Sequence, residues 1–292
     1  MPDPLRDLLR PDRLTAVLDI GANPIDGDPL YKPMLAAGLC TVAGFEPQRK
    51  ALAELNRRKG PNERYFPDAI GDGVERTFYL CRARGMTSTL KPNPAKLALF
   101  NEFLTFGEVE KTFRLPTRRL DDIADLGPVD FLKIDIQGGE LAAIRHATRT
   151  LAHTVAIQIE VSFVTLYHGQ PTFGEIDTEL RQLGFMPHCF ADVKLWPLAP
   201  TVLDGNPRRP RRQVLEADMV YVRDVTEAKA MSGEQWKQLA MIAHHCYASI
   251  DLAARALAAA TQIGALPPSA VDQYMSILQL SSIQARARRA AS

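Results

Sequence analysis

The chain has 292 residues, of which 46% are hydrophobic and 24% charged, and its formal net charge is +1. This composition is typical of a globular protein with a sizeable core, and the near-neutral charge gives no global attraction to nucleic acid or to a membrane surface. Long apolar runs and a signal-peptide pattern are both absent, so we expect no membrane-spanning helix. Four separated cysteines without a CxxC pair favour free thiols in a reducing compartment, which predicts a cytoplasmic protein.

Short apolar runs alternate with helical patterns between residues 14 and 222. Strands are predicted over 14–20, 40–46, 63–70, 77–82, 110–120, 129–135, 155–161, 185–190 and 217–222. Helices are predicted over 30–38, 47–59, 94–102, 139–151 and 173–183. This alternation indicates an α/β fold, in which helices cover both faces of a mainly parallel sheet.

The composition changes after about residue 225. An alanine-rich helical pattern covers 232–264, and a second helical pattern covers 269–290. We therefore expect a sheet domain over 1–225 and a helical C-terminal extension over 226–292. The extension would pack on the sheet domain or join two copies of the chain in a homo-oligomer.

The segment Val17–Asn23 carries the strongest sign of function. It is an apolar run that ends in Asp-x-Gly-x-Asn, which is typical of a buried strand that turns sharply into a loop. Gly21 has no Cβ, so the backbone of this loop can approach a ligand closely. Glu46 follows about 25 residues later, where nucleoside-binding α/β domains carry the carboxylate that holds a ribose. Together these residues predict a pocket for a ribose-bearing cofactor.

Acidic residues end several of the predicted strands. Ligands of parallel α/β sheets bind beyond the carboxyl ends of the strands, so we expect these side chains to line one crevice. The residues concerned are Asp19, Glu46, Asp68, Asp135 and Glu160.

Lys133 and Asp135 interrupt an otherwise apolar strand over 129–135. Their i, i+2 spacing places both side chains on one face, and burying two charges is costly unless they are paired or functional. A structural ion pair is one interpretation. We favour an active-site pair, because Asp135 falls at the strand end and Gly138-Gly139 opens the next helix.

Six segments with these features occur in a fixed order within residues 14–223. They are Val17–Asn23, Gly44–Pro47, Ala69–Asp72, Met86–Ser88, Thr117–Asp121 and Phe131–Glu140. Together they resemble the FkbM-type methyltransferases, which use S-adenosylmethionine. The resemblance implies a class I methyltransferase fold, a Rossmann-like seven-stranded sheet whose last strand is antiparallel.

The resemblance also implies roles for individual residues. Asp19, Gly21 and Asn23 would surround the methionine part of the cofactor, and Glu46 would accept hydrogen bonds from both ribose hydroxyls. The other implied cofactor-binding residues are Asp68 and Ala69, which would flank the adenine, and Ser88.

The acceptor side is predicted from the chemistry of methyl transfer. Transfer from a sulfonium requires alignment and, for a hydroxyl acceptor, a positioned base. We expect Asp135 or Glu160 to be that base, and Lys133 to orient it or to stabilise a developing oxyanion. Candidate substrate-binding residues are Gln137, Glu140, Tyr167, His168 and Gln170, with His168 open between a surface-loop histidine and a second base.

Two positions depart from the family pattern. Pro24-Ile25 stands where the family usually has a glycine two residues after Asn23, so this loop would approach the cofactor differently. Gln137 replaces the first glutamate of the family's Lys-x-Asp-x-Glu stretch, and an amide can neither act as a base nor bind a cation by charge. Any charged role of that glutamate would pass to Glu140 or Glu160.

The expected function is O-methylation of a sugar or other hydroxyl, with a small-molecule or glycan acceptor and neither nucleic acid nor metal. A nicotinamide-dependent oxidoreductase is the alternative enzyme, although the first loop lacks G-x-G-x-x-G. A cofactor-binding module without catalysis is the third hypothesis.

The arginine-rich loop 206–212 is either a solvated connection or a clamp for an anionic substrate. His244-His245-Cys246 indicates packing rather than a metal site, because adjacent helical residues do not face each other.

Overall fold

The computed structural model describes residues 3–23, 27–124 and 126–290, without the side chains of 281–290. Pro24 and Ile25, where the chain departs from the family pattern, therefore lie outside the described residues. The β-strands are β1 (Thr15–Ile20), β2 (Cys40–Phe45), β3 (Glu63–Phe66), β4 (Ala69–Ile70), β5 (Arg76–Cys81), β6 (Val109–Leu115), β7 (Thr117–Arg118), β8 (Phe131–Ile134), β9 (Ala156–Ser162), β10 (Phe185–Leu195) and β11 (Val214–Arg223). The α-helices are α1 (Pro4–Leu9), α2 (Lys32–Ala36), α3 (Arg49–Arg58), α4 (Pro94–Leu97), α5 (Phe103–Phe106), α6 (Glu140–Arg145), α7 (Thr148–Leu151), α8 (Phe173–Gln182), α9 (Gly233–Tyr247), α10 (Ile250–Gln262) and α11 (Ala270–Ala290).

Seven strands form the main sheet in the order β10-β11-β9-β8-β1-β2-β3. β11 runs antiparallel to both of its neighbours, whereas β9, β8, β1, β2 and β3 run parallel. This arrangement confirms the predicted sheet with an antiparallel last strand. β9 is buried at every position, as expected of a central strand covered on both faces. The short strands form two separate pairs, β4 with β7 and β5 with β6.

The strand register places polar side chains side by side across the centre of the sheet. Asp19 on β1 lies opposite Lys133 on β8, and Lys133 lies opposite Gln158 on β9. Glu160 on β9 lies opposite Asp218 on β11. Because β1, β8 and β9 are parallel, the residues that follow their carboxyl ends meet at one edge of the sheet.

Apolar side chains of the described residues form a larger and a smaller buried cluster around this sheet. The larger contains side chains of β1, β2, β8, β9 and β11 together with those of α6 and α8. The smaller joins α4 and α5 to the segment after β9, and it consists of Leu97, Phe100, Phe103, Leu166, Tyr167 and Leu215. The smaller cluster anchors Tyr167, which is 3% exposed, close to the carboxyl edge of β9.

Some predicted elements are divided or longer in the structure. The predicted strand over 63–70 is two strands, because Pro67 lies between β3 in the main sheet and β4 in a separate pair. The predicted helix over 232–264 is also two, since Ala248 adopts a left-handed conformation (φ 49°) that ends α9. The predicted strand over 185–190 extends to Leu195 through register shifts of the bulge type.

Contacts divide the chain into two compact units. The helical unit comprises Met1–Ala16, Asp28–Thr41 and Asp224–Ser292, and the sheet unit comprises Val17–Gly27 and Val42–Arg223. In the helical unit α1, α2 and α10 pack against α9. No helix among the described residues has the length and apolar character that crossing a bilayer requires. The boundary that we predict near residue 225 remains a prediction.

Candidate active site

A buried ion pair joins the two central strands of the sheet unit. Asp19 is 2% exposed, and the Lys133 Nζ atom lies 3.5 Å from its Oδ1 atom. Burial opposes the charge of Lys133, but the carboxylates of Asp19 and then Asp135 raise its pKa above the ordinary value. The cross-strand partner of Lys133 is therefore Asp19, not Asp135 two residues further along its own chain.

The turn after β1 packs tightly against the end of β8. Gly21 has a φ of +82°, and a Cβ added there would lie 2.0 Å from the carbonyl oxygen of Asp135. The amides of Gly21 and Ala22 both donate to the carbonyl of Phe45, at 3.0 and 3.1 Å. Glycine is required at this position both by its left-handed conformation and by the close approach of the Asp135 backbone. Asn23 follows this turn, half-buried.

Glu46 follows the carboxyl end of β2 and is 2% exposed. Its Oε1 atom accepts a hydrogen bond of 2.6 Å from the amide of Gln48. Burial raises the pKa of Glu46 to about 7, and the charge of Asp19 contributes in the same direction. A buried carboxylate of this kind gains from neutral hydroxyl donors, because they stabilise its ionised form without adding charge.

Three carboxylates converge beyond β8 and β9. One oxygen from each of Asp135, Glu140 and Glu160 lies within 4.8 Å of the others. Burial raises the pKa of Glu160 well above its ordinary value, and the neighbouring charges of Asp135 and Glu216 raise it further. Burial also raises the pKa of Glu140 to about 7. Near neutral pH this group therefore retains protons rather than carrying the full charge of three carboxylates.

The amide of Gln137 lies between two of these acids. Its Nε2 atom is 3.0 Å from Asp135 Oδ1 and 3.1 Å from each carboxylate oxygen of Glu160. The hydroxyl of Tyr167 lies 3.1 Å from Gln137 Oε1. Burial raises the pKa of Tyr167 well above its ordinary value, so its hydroxyl stays protonated and can donate. We call Asp135, Gln137, Glu160 and Tyr167 the Gln137 cluster.

Two side chains hold the turn that carries Gln137. Glu140 is 2% exposed, and its Oε1 atom accepts hydrogen bonds from the amides of Ile136 and Gly138 at 2.9 and 3.1 Å. The Ser88 hydroxyl donates to the carbonyl of Gln137 at 2.6 Å. Glu140 and Ser88, which we predict at the substrate and the cofactor, thus both make contacts that shape this turn.

The segment after β9 is held by Gln170, which is 8% exposed. Its side-chain oxygen accepts hydrogen bonds from the amides of Leu166 and Tyr167, and its Nε2 atom donates to Ser162 Oγ at 2.6 Å. These contacts fold the segment after β9 back on itself, so that the hydroxyl of Tyr167 reaches the side chain of Gln137. His168, next to Tyr167, has an exposed side chain, as expected of a surface-loop histidine.

Asp68 and Ala69 lie apart from these contacts. Asp68 forms an ion pair of 3.2 Å with Arg118, and Ala69 is buried in β4, which pairs with β7. Direct contacts bring ten of the predicted site residues together, and Glu46 is electrostatically coupled to one of them, Asp19. The ten are Asp19, Gly21, Ser88, Lys133, Asp135, Gln137, Glu140, Glu160, Tyr167 and Gln170.

Sequence analysis did not predict that polar residues of β9, β10 and β11 lie near the site. Gln158 donates to Asp218 Oδ2 at 2.9 Å, and Asp218 contributes to the charge around Lys133. Lys194 pairs with Glu216 at 2.9 Å, and both affect the charge of Glu160. The sequence could have indicated the first of these contacts, because Gln158 interrupts the apolar strand pattern over 155–161.

The arginine-rich loop is partly neutralised. Arg208 pairs with Glu102 at 2.6 Å and lies over the ring of Phe106, 5.1 Å from its centroid. Arg209 forms an ion pair with Asp204. These contacts connect two of the four arginines to acids of the same chain, as expected of a surface connection.

In the helical unit, His244 and His245 have different partners. His244 Nδ1 lies 3.1 Å from the hydroxyl of Tyr274, and His245 Nε2 lies 3.5 Å from Asp3 Oδ2. Their rings are nearly perpendicular, with an interplanar angle of 88°. This packing matches the interpretation that the two histidines are part of a helix interface.

The order of the sheet and its antiparallel last strand define a class I methyltransferase fold. A sequence profile of the Methyltransferase FkbM domain matches residues 19–187, which is more than half of the chain. The chain therefore belongs to the FkbM methyltransferase family, and the resemblance seen in its motifs is confirmed. Family membership makes S-adenosylmethionine its cofactor.

Individual relatives are more distant. The 2-O-methyltransferase NoeI of Sinorhizobium fredii (strain NBRC 101917 / NGR234) is 29% identical over 175 residues, which cover 56% of this chain and 69% of NoeI. A methyltransferase FkbM from Methylobacillus flagellatus KT is similar with a TM-score of 0.38 and 15% identity, over 72% of this chain and 43% of that one. The magnesium protoporphyrin IX methyltransferase of Synechocystis PCC 6803 is similar with a TM-score of 0.37 and 12% identity, over 75% and 76%. The chain thus spans less than half of the Methylobacillus protein.

Proposed function

We propose that the protein transfers a methyl group from S-adenosylmethionine to a hydroxyl oxygen, with Asp135 as general base. The observation that supports this most is the shared position of Asp135. Its backbone carbonyl contacts the Gly21 turn, and its side chain belongs to the Gln137 cluster. One residue therefore links the cofactor-side loop to the acidic side of the crevice.

The residues at the ends of β1 and β2 fit the cofactor. The buried carboxylate of Glu46 has capacity to accept hydrogen bonds from a ribose diol. Asp19 is followed by a left-handed turn at Gly21. Because Gly21 has no side chain, we expect this turn to present backbone atoms to the ligand. In our proposal Asp19, Gly21, Asn23 and Glu46 hold the cofactor, which supplies an electrophilic methyl group when bound. Asp68 and Ala69 would flank the adenine, and Ser88 would lie near the cofactor while its hydroxyl holds the carbonyl of Gln137.

Asp135 suits the role of base better than its two acidic neighbours. It is the most exposed of the three carboxylates, whereas Glu140 and Glu160 are buried. The carboxylate of Glu140 is already bound by backbone amides. The raised pKa of Glu160 favours its protonated form, so Glu160 is our second candidate. Lys133, whose pKa is raised in part by the charge of Asp135, would orient that carboxylate or stabilise a developing oxyanion.

The acceptor that we propose is a sugar or another hydroxyl-bearing small molecule or glycan. An alcohol has a high pKa and benefits from a positioned base during methyl transfer. The name of NoeI, a 2-O-methyltransferase, supports oxygen as the acceptor atom. Tyr167 and Gln137 would lie beside the acceptor, while His168 and Gln170 would shape the surrounding loop.

Calorimetry separates this proposal from the nicotinamide alternative. We expect S-adenosylhomocysteine to bind and NAD to give no heat. Glu46→Gln should weaken S-adenosylhomocysteine binding by at least about tenfold, because hydrogen bonds to a charged acceptor contribute about 1.5–3 kcal/mol. Glu54→Gln, a change on the exposed face of α3, is the matched control. Binding of NAD without S-adenosylhomocysteine would favour the oxidoreductase instead.

Transfer of a labelled methyl group tests the base. With an acceptor identified from a panel of glycans and hydroxylated small molecules, Asp135→Asn should lower turnover by about 10²–10⁴-fold. Its affinity for S-adenosylhomocysteine should stay within a few-fold. Asp7→Asn, at an exposed position of α1, is the control for the same chemical change. Near-normal turnover of Asp135→Asn would contradict the assignment, and cofactor binding without turnover across the panel would favour a non-catalytic module.

A further inference from the structure

Gln137 uses nearly all of its hydrogen-bonding capacity within the Gln137 cluster. An amide group has two N–H donors, and here one faces Asp135 while the other faces the two oxygens of Glu160. A flipped amide would place its oxygen against the Asp135 carboxylate and lose the hydrogen bond to it. Asp135 therefore determines the orientation of the amide. The amide oxygen then lies 3.1 Å from the Tyr167 hydroxyl, whose single proton it shares with the carbonyl oxygen of Met86, also at 3.1 Å.

The backbone at Gln137 adopts an unusual conformation for a residue with a side chain. Its φ is +58°, and the following Gly138 has a φ of +103°. A left-handed conformation costs an L-residue about 1–2 kcal/mol, and it persists where the surroundings determine it. Here Ser88 holds the carbonyl of Gln137, and Glu140 holds the amides on either side of it. The turn is built so that this side chain points between the two acids.

The acids around Gln137 are close enough to repel one another. With Glu140 they place three carboxylate oxygens within 4.8 Å, a spacing at which a divalent cation or bound protons normally reduce the charge. The amide of Gln137 supplies two donors to this group but no charge. It also occupies the space between Asp135 and Glu160 that a bridging cation would need.

We propose that Gln137 is a positioning residue that lets the Asp135–Glu160 pair function without a divalent cation, because its amide lies where a bridging metal ion would lie. The meaning of this inference for catalysis rests on the proposed function. The exclusion of a cation from the cluster is a separate property, and it can be measured without a cofactor or a methyl acceptor.

Gln137→Glu changes a hydrogen-bond donor into an acceptor, because a carboxylate of nearly the same shape replaces the amide. The two donors become a carboxylate, so Asp135, Glu160 and the new side chain present only oxygen acceptors to one another. Hard divalent cations bind such oxygen sets at about 2.0–2.6 Å, and removal of repulsion between the acids favours their binding. The substitution should therefore convert the Gln137 cluster into a cation site.

Titration with Mn²⁺ alone, followed by electron paramagnetic resonance of the free ion, tests this. We expect Gln137→Glu to bind one Mn²⁺ per chain at least about tenfold more tightly than the unaltered protein. Gln170→Glu is the matched control, because it adds the same charge to a buried glutamine whose contacts are to Ser162 and backbone amides. It should bind Mn²⁺ no better than the unaltered protein.

Two further measurements assign the site and the chemistry. Glu160→Gln added to Gln137→Glu should remove the gained affinity. Calorimetry in two buffers of different ionisation enthalpy should show proton release when Mn²⁺ binds Gln137→Glu, since ligands must deprotonate. A merely structural glutamine would not produce either result.

Two outcomes would overturn the proposal. One is a folded Gln137→Glu variant, judged by its thermal transition, that binds Mn²⁺ no better than the unaltered protein. The other is Mn²⁺ binding by the unaltered protein that Glu160→Gln abolishes, and this test decides even if Gln137→Glu fails to fold. Neither outcome depends on S-adenosylhomocysteine binding, so failure of the proposed function is detected separately.

Discussion

Two groups of buried acids lie next to each other at the carboxyl edge of the sheet, and they are neutralised differently. Where we propose the cofactor, Asp19 is paired with the ammonium of Lys133. Where we propose the acceptor, Asp135 and Glu160 share the neutral amide of Gln137. The ammonium adds a positive charge beside its acid, whereas the amide supplies donors but no charge to its two acids. This difference fits our proposal that Asp135, rather than Asp19, is the general base.

The largest expected effect comes from removing the cation. Lys133→Met removes the cation that pairs with the buried Asp19, and breaking a buried ion pair costs about 3–5 kcal/mol of unfolding free energy. Lys194→Met is the matched control, because Lys194 pairs with Glu216 at the more exposed strand β10 and should cost about 1 kcal/mol or less. Urea unfolding measures both values. Equal losses in the two variants would contradict the distinction between a buried pair and an accessible one.

The next effect tests the contact between the two groups. Gly21→Ala adds a methyl group against the carbonyl of Asp135, at a residue with a left-handed backbone conformation. We expect the free energy of unfolding to fall by about 3 kcal/mol, because backbone strain and overpacking add together. Gly27 also has a positive φ, +112°, but no atom of the described residues lies within 4 Å of an added Cβ. Gly27→Ala should therefore lose only about 1–2 kcal/mol, and chemical denaturation compares them. A larger loss in Gly27→Ala would show that the close approach at Asp135 is unimportant.

A pH dependence of stability should reveal the raised pKa of the buried carboxyl of Glu46. Because the pKa of Glu46 is raised from 4.5 to about 7, the folded chain keeps a proton that the unfolded chain releases. This contribution is fully present below about pH 4.5 and is lost as the pH rises through 7. Without cofactor, the unfolding free energy should therefore fall between pH 5 and 8 by about 2 kcal/mol more in the unaltered protein than in Glu46→Gln.

The control for this pH series is Glu108→Gln, an exposed member of an ion pair with Arg82. Its curve should run parallel to that of the unaltered protein. If Glu46→Gln also runs parallel, the carboxyl of Glu46 is not responsible for the pH dependence.

The smallest expected effect concerns the arginine-rich loop. Arg208→Ala breaks an exposed pair with Glu102, and exposed pairs contribute little to stability. We expect no measurable shift of the urea midpoint and no change in S-adenosylhomocysteine affinity. A fall in acceptor affinity with unchanged stability would instead favour the clamp for an anionic substrate.

The strands that carry the site could be predicted because their signals are local. Apolar runs that end in a polar residue reveal β1, β2 and β8, and the same residues place Asp19, Glu46 and Asp135 at strand ends. The family resemblance adds the fold, the cofactor and the antiparallel last strand. The break between β3 and β4 was missed although Pro67 marks it, because the apolar pattern continues on both sides.

The contacts within the site could not be predicted, since they depend on strands that are distant in sequence. Lys133 pairs with Asp19 across 114 positions, and this partner follows from the order of strands in the sheet. The bridge made by Gln137 needs both the end of β9 and the loop that returns Tyr167, which Gln170 holds in place. From the sequence alone, Gln137 is notable only because an uncharged amide replaces the glutamate of the family pattern. In the structure its side chain contacts three residues, Asp135, Glu160 and Tyr167.

A crystal structure with S-adenosylhomocysteine tests the central claim most directly. Our account predicts that both ribose hydroxyls lie within hydrogen-bonding distance of the Glu46 carboxylate. It also predicts that the sulfur faces Asp135, with the Gln137 amide still between Asp135 and Glu160 and no metal ion bound there. A nucleoside bound away from Glu46, or a sulfur separated from Asp135 by other side chains, would contradict it.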